Sequence, residues 1–449
     1  MGLAKPQEIQ LVPQVPYDPQ PISYTRFFNE YEVYEYSGWI DECESWKHTC
    51  FIGDWSPLFK LEIEGPDALA FFSSIAVNSF AKCDIGQAKH LVFCNARGKV
   101  MGEGVLMRQT EERFLFTSGP GVAWAYHRFM LGSWNATPRM ITADQYAFQV
   151  QGPHALAVME EVTGESLRDI GFMRFRASGI GNRRFDILRQ GMSGEVGFEL
   201  HGPSDEGVEV YDAILKAGQA YGIRRLGGRA KMVNHVEACF PTPTVDFLPA
   251  MFGPGEDEKA FLAGLLETMP GFLDALQTAG SWEKQSLQDY ERSPIELGWG
   301  KNIRFDHEFI GRAALEEEKE SPRRIMRTLV WNSEDVAEVF NSLLRKDATP
   351  FEYMEMPRNL IPLLWADKIM KDGVLVGVAT SRCYSYHFRE MISLAVIDTA
   401  QAAIGTEVEV IWGSAGHPQK AIRATVQTAP YKQDNRRVDL ASLPQAEAR

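Results

Sequence analysis

Two acids interrupt the stretch GMSGEVGFELHGP (191–203), which follows the apolar-alternating RRFDILRQ. A carboxylate inside a strand that reads as buried implies a partner, because burying it unpaired is costly. For Glu199 the partner is either an arginine such as Arg183 or Arg184, or the paired N–H donors along the edge of a flat heterocycle, which a carboxylate accepts in bidentate fashion. Glu195, in the turn, reads as solvated or structural. Glu103 stands between glycines in MGEGVL, and glycines inside a strand allow a backbone or a ligand to come close. Gln151 lies next to the Gly152-Pro153 turn. Asp54 in GDWSP has the type and place of a turn initiator. His235 and Glu237 in NHVEACF are two apart, so they diverge on a helix and share a face on a strand.

The elements around these residues repeat a pattern. LFKLEIEGPDALAFFSSI (58–75), YAFQVQGPHALAVMEEV (146–162) and VGFELHGPSDEGVEVYDAILKAG (196–218) each read as a strand, a Gly-Pro turn and a helix, with proline near the first helical turn, where its missing N–H costs nothing. IEGPDAL and VQGPHAL match closely enough to predict two related α+β units. Residues 85–118 read as three strands, with NARGKV and QTEER as the hairpin turns. EDEKAFLAGLLETM reads as a helix and TAGSWEKQSLQDYERSP as a surface insertion. The charged, proline-containing EEEKESPRR predicts a linker and a boundary near 320. Beyond it RIMRTLVW, GVLVGVATSRCYSY, ISLAVID, EVEVIW and IRATVQTAP predict a small antiparallel β-barrel or sandwich. The expected division is therefore 1–320, with an internal boundary near 145, and 321–449. Residues 1–22 read as an extended proline-rich arm, followed by the aromatic run YTRFFNEYEVYEYSGW, which suits either core packing or a lined cavity.

At 449 residues, 45% hydrophobic and 24% charged, the chain has the composition of a soluble globular protein of two or three domains. A formal net charge of −14 argues against sequence-independent nucleic-acid binding. The six scattered cysteines form no C-x-x-C pair and fit reduced, buried thiols in a cytoplasm. No apolar signal core and no run of about 18 apolar residues is present, so no membrane association is expected. G-x-S-x-G, Walker and H-E-x-x-H motifs are absent, GIGNRR lacks the third glycine of a dinucleotide fingerprint, and the histidines show no metal-ligand spacing. No metal is expected.

GMSGEVGFEL resembles the G-Y-T-G-E-D-G-F-E segment of glycine-cleavage T-proteins, the aminomethyltransferases. NARGKVMGEGVL is similar to their N-x-x-G-G-x-x-D-D strand pair, and ELGWGKNIRFDHEFIGRAAL to their closing L-G-W…D-F-I-G-x-x-A-L segment. Within that superfamily VNSFAK, QVQGPHA, RFDHEFIG and CYSYHFREMISLAVID resemble the tetrahydrofolate-dependent aromatic O-demethylases of vanillate and syringate. The resemblance implies an α+β, three-domain cloverleaf with two related α/β subdomains and a C-terminal antiparallel β-barrel. It also implies tetrahydrofolate as cofactor and methyl transfer from an aryl methyl ether to its N5. By the same resemblance Glu199 binds the pterin edge, Gln151 lies beside the cofactor, and Glu103 replaces an aspartate of the strand pair.

The substrate half departs from that branch. Lys231 stands in RAKMVNHVEACF where the vanillate enzymes carry a tyrosine that helps the phenol leave, and Phe240 stands where they carry a tryptophan beside the cofactor. Their substrate-binding histidine has no counterpart in GDWSPLF, and Gly119 replaces their carboxylate-binding arginine. Loss of the tyrosine suits a leaving phenol acidified by ring substituents, which points to a methoxybenzoate, chlorinated as in dicamba. Lys231 or His235 would then receive the phenolate charge or hold the carboxylate, with Asp54, Trp55 and the aromatics of 27–36 beside the ring. A T-protein of glycine cleavage and a non-catalytic folate-binding protein are the alternatives. A small-molecule donor is the only partner expected, in a cytoplasmic monomer or dimer.

Overall fold

The computed structural model describes residues 21–27, 30–268, 276–284, 286–358 and 364–444. The proline-rich arm lies outside them except for Pro21 and Ile22, as do the side chains of Phe27 and Phe28 in the aromatic run.

A six-stranded sheet runs in the order Phe175–Ile180, Arg183–Leu188, Gly197–Pro203, Gln145–Gln151, Phe51–Asp54, Arg224–Arg225. A five-stranded sheet runs Gln87–Cys94, Val100–Arg108, Arg113–Ser118, Phe59–Glu64, Thr137–Met140. Both contain the repeated strand–turn–helix unit, and the repeat has a physical cause. Gly65 and Gly152 have φ of 143° and 129°, a region costly for any residue with a side chain. A Cβ on either would also lie 2.6 Å from a neighbouring strand's backbone, at Ala136 and Thr49 respectively. In each unit the residue after proline then donates its N–H to that neighbour, Asp67 to Asn135 at 3.3 Å and His154 to Thr49 at 2.9 Å. The helices that follow, Ala68–Ile75 and Ala155–Thr163, bury their apolar stripes on their own sheets. The helix Gly207–Gly218 covers Val150, Phe198 and Leu200 from the same side as Ala155–Thr163. Full burial of each such side chain contributes roughly 1.5–3 kcal/mol.

That packing uses one face of the six-stranded sheet. Residues alternate across a strand, so with Phe198 and Leu200 turned to the helices, Gly197, Glu199 and His201 face the other way. Behind them lies a second apolar cluster. It joins Phe51, Trp55 and Ala147 of this sheet, Val92, Cys94 and Val100 of the other sheet, and Ala230, Val233 and Val236 of the helix Gly228–Glu237. Ile392, Leu394 and Val396 of the C-terminal part complete it.

The C-terminal part closes as a barrel, Arg324–Trp331, Glu390–Asp398, Val374–Ser385, Asp367–Lys371, Glu407–Trp412, Lys420–Gln427 and back to the first. The strand Asp367–Lys371 was not expected from sequence. Its two central residues are the apolar pair Ile369 and Met370, too short a run to stand out. Glu316–Glu320, expected as linker, are the last turns of the helix Arg312–Glu320. The expected surface insertion is interior in part: Ser281, Tyr290, Glu291, Arg292 and Ser293 are buried, and Thr278–Ala279 pairs with Leu364–Trp365. All six cysteines are free thiols, and Cys239 alone is not fully buried.

Candidate functional site

Three adjacent strands set one row across the sheet: Glu199 opposite Gln149, and Gln149 opposite Gly53. Glu199 is 4% exposed. Its Oε2 accepts from the side-chain amides of Gln149 and of Gln190, the latter at 2.5 Å, and its Oε1 accepts from His201 Nε2 at 2.7 Å. Burial alone would raise this carboxyl, but the hydrogen bond and charge of His201 and the two amides together hold it below its ordinary value. Neither arginine considered from sequence touches it; Arg183 pairs with Glu209 at 3.3 Å. Glu199 is thus an ionised, buried carboxylate held by side chains of which two are neutral amides.

Gln151 is one step removed. Its Nε2 donates to Gln149 Oε1 at 2.5 Å, and its Oε1 accepts from Ser193 N at 2.9 Å. The relay Ser193–Gln151–Gln149–Glu199 orients the carboxylate through dipoles aligned head to tail. Here the glycines of the opening stretch find their use. A Cβ at Gly197 would lie 2.3 Å from Gln151 Cγ, and one at Gly191 2.5 Å from its amide carbon. They clear space for Gln151, not for a flat ring directly. Glu195 is buried and structural, bound to Lys432 Nζ at 2.9 Å and Asn435 Nδ2 at 2.9 Å.

Trp55 closes the row at its other end. Its ring folds back over Gly53, where a Cβ would lie 1.9 Å from the indole. Lys231 Nζ sits 4.6 Å from the centre of that ring, 3.0 Å from Glu32 Oε2 and 3.2 Å from the Asp54 carbonyl. Glu32 is 5% exposed, so the ammonium has a fixed counter-charge and an aromatic face beside it. Glu103 borders the same apolar cluster from the other sheet. It lies opposite Val92 and binds His90 Nε2 at 2.8 Å. Its flanking glycines admit protein: a Cβ on Gly102 would lie 2.6 Å from Gly121 Cα and one on Gly104 2.4 Å from Thr117 O.

Glu199, Gln151, Trp55 and Lys231 are therefore brought together, with Glu103 across the cluster. Asp54 is not in the row. It lies opposite Phe148, and its Oδ1 accepts from Ser56 N at 2.8 Å, the turn-initiating role. Its Oδ2 has no hydrogen-bond partner among the described residues, and burial pushes the carboxyl up to about 6. His235 faces the barrel. Its Nδ1 meets the Lys231 carbonyl at 3.2 Å and its Nε2 meets Ser381 Oγ at 2.9 Å, and burial lowers its affinity for a proton. Glu237 diverges from it, as a helix requires, onto Trp46 Nε1 and Ser385 Oγ. Phe240, half-buried, follows the end of that helix, its N–H on the His235 carbonyl at 2.8 Å. Gln149, Gln190, His201 and Glu32 were not singled out from sequence. Alternation around Gln151 and Glu199 points to Gln149 and His201; nothing local marks Gln190 or Glu32.

Family models match two parts of the chain: the GCVT N-terminal domain over residues 20–251 and the glycine cleavage T-protein C-terminal barrel domain over 354–431. The chain belongs to the glycine cleavage T-protein family. Within it, the sesamin methylene transferase of Sinomonas sp. (strain No.22) is 34% identical over 437 residues, covering 91% of this chain and 93% of that protein. The syringate O-demethylase of Sphingobium sp. is 33% identical over 422 residues, covering 88% and 89%. The crystal structure of aminomethyltransferase T from Bartonella henselae superposes with a TM-score of 0.69 at 18% identity, covering 95% of this chain and 99% of that one. The T-protein fold expected from the sequence is thereby established, and the chain is a group-transferring enzyme of that family. Among the described residues no helix is long and apolar enough to cross a membrane.

Proposed function

We propose that this T-protein family member transfers a methyl group from the oxygen of an aryl methyl ether to tetrahydrofolate. The observation that carries this reading is Glu199, a buried carboxylate kept ionised by hydrogen bonds. A carboxylate offers about four acceptor positions, and the described side chains use three. The fourth, and those of the exchangeable amides, suit the adjacent N–H donors of a pterin edge, so the donor set fits the cofactor. Similarity to one relative named for methylene transfer and another for O-demethylation supports the same class of chemistry.

Bound tetrahydrofolate supplies the nitrogen that accepts the one-carbon group. Glu199 fixes the heterocycle, and the glutamine relay keeps the carboxylate from turning. Much of the rate then comes from holding acceptor and donor in line. Trp55 gives the donor's ring an apolar face. Lys231 stabilises negative charge on the departing aryl oxygen, with Glu32 as its fixed partner at 3.0 Å. A phenolate acidified by ring substituents is a weaker base and leaves without being protonated, so a lysine standing where a tyrosine would donate its proton suits methoxybenzoates with electron-withdrawing substituents, dicamba among them. His235, Asp54 and Phe240 support the site from behind.

The test is methyl transfer to tetrahydrofolate from a panel of methoxybenzoates with and without chlorine, together with a methylenedioxybenzoate. Formation of 5-methyltetrahydrofolate and a phenol, fastest with the chlorinated donors, is expected. Equal or faster turnover of vanillate would remove the chlorinated class, and no transfer from any aryl ether would remove the reading.

A further inference from the structure

Arg382 is 1% exposed inside the barrel, and its guanidinium carbon lies 4.2 Å and 4.4 Å from the ring centres of Trp365 and Trp412. Its Nε and Nη1 have no hydrogen-bond partner among the described residues. A buried donor left idle is costly, and native chains rarely leave one without a purpose. Three neighbouring acids accept hydrogen bonds from other groups. Asp367 accepts from Ser281 N at 3.0 Å and Trp365 Nε1 at 2.9 Å. Asp246 accepts from Thr380 Oγ at 2.7 Å and Ser381 N at 3.1 Å, and Glu352 from Ser414 N at 2.6 Å.

A cavity of about 330 Å³ opens onto this guanidinium, walled by Trp365, Arg358, Tyr353, His417 and two acids, Glu352 and Glu355. That volume is at the lower end of small-molecule sites, which span about 300–1,000 Å³. Arg358 adds a second buried positive charge, and an indole beside a guanidinium suits a flat ring that carries an acid. Burial pulls Arg382 down only to about 9, so it is charged at neutral pH. The cavity lies away from Lys231 and Glu199: Ser381, next in the chain, turns to His235, while Trp365 and Trp412 belong to the barrel's own apolar cluster.

We propose that this cavity is a second binding site, for a small aromatic carboxylate whose carboxylate accepts from Arg382 and whose ring lies against Trp365. The probe is benzoate, titrated calorimetrically into the full chain, with benzamide as the uncharged control. Wild type should bind benzoate at this site, and benzamide at least tenfold more weakly. Arg382→Gln should weaken benzoate at least tenfold and Arg382→Lys by less, with circular dichroism confirming the fold. Because Arg382 is buried, His417→Trp at the exposed rim provides a variant that narrows the mouth without touching the core; it too should weaken binding tenfold. Benzoate can also enter the donor site read above, so the component lost in Arg382→Gln is the one that reports this cavity, and Lys231→Ala should leave that component unchanged. Benzoate affinity unaltered in both Arg382→Gln and His417→Trp, affinity lost in Lys231→Ala instead, or no binding by wild type at millimolar benzoate would each overturn the proposal. Failure of the aryl ether reading would leave all of these outcomes as they are.

Discussion

Glu195 and Glu199 lie one turn of sequence apart, and both are buried. Glu195 meets a lysine, Lys432, from the C-terminal segment, and Asn435 completes its shell. Glu199 meets two amides and an imidazole from its own sheet and the loop beside it. The first arrangement is closed: charge is matched by charge, and two distant parts of the chain are fastened. The second keeps a carboxylate ionised with partners that can be exchanged for a ligand's N–H groups. Burial of an acid therefore marks function only when its partners leave room for another.

The largest effect should come from breaking the closed pair. Lys432→Met leaves Glu195 buried without its cation and should cost about 3–5 kcal/mol in urea denaturation, with Glu195→Gln restoring part of it. A loss under about 1 kcal/mol would mean that the pair fastens nothing. Glu199→Gln should reverse the balance. Tetrahydrofolate affinity should fall roughly 100-fold, in line with about 3 kcal/mol for hydrogen bonds to a charged group, while stability falls less than in Lys432→Met. An unchanged folate affinity in calorimetry would make Glu199 a second structural acid.

Asp54 offers an intermediate case, a buried acid with one oxygen bound and one not. Its folded-state carboxyl is raised to about 6, against about 3.9 when unfolded. A raised acid favours folding fully only below its unfolded value and loses that contribution as pH rises through the folded one. Asp54→Asn, which keeps the acceptor for Ser56 N, should therefore gain stability over wild type as pH rises from about 4 to 7, by roughly 3 kcal/mol at the plateau. A difference independent of pH would show that the carboxyl is not buried as described. The smallest change belongs to the relay. Gln151→Leu removes a link one step from the ligand and should weaken folate binding only severalfold, at about 1 kcal/mol; a loss as large as that of Glu199→Gln would place Gln151 in direct contact with the cofactor.

Much of the fold was legible because local chemistry decides it. The Gly-Pro turns need a glycine's φ and closeness of approach, so IEGPDAL and VQGPHAL announce the repeated unit. Barrel strands such as EVEVIW alternate in burial as they alternate in sequence. The insertion misled because its charged residues are satisfied internally: Arg292 donates to the Asp289 and Glu291 carbonyls, and Glu291 pairs with Arg97. Distant pairing of this kind leaves no local trace. The site divides the same way. Glu199 was visible through its setting in a strand, and Gln149 and His201 follow from alternation, but Glu32 and Gln190 come from other segments that only the folded chain brings near. The glycines illustrate the same limit, since what fills the space above a glycine is a neighbour, Gln151 or Trp55, that the sequence does not place.

The helix Gly228–Glu237 packs on the barrel through Val233 and Val236 and hydrogen-bonds it at two points, His235 on Ser381 and Glu237 on Ser385, and it offers Lys231 to the site from another side. Anchored twice, it has little freedom to slide when a bulkier donor arrives. Lys231's counter-charge, by contrast, rides on the strand Glu30–Glu35, whose only sheet partner among the described residues is Ser23–Phe27. On the proposed function, the wall most open to evolutionary rewriting is that short ribbon: a change there would admit a new donor while the anchored helix and the Glu199 side stay as they are.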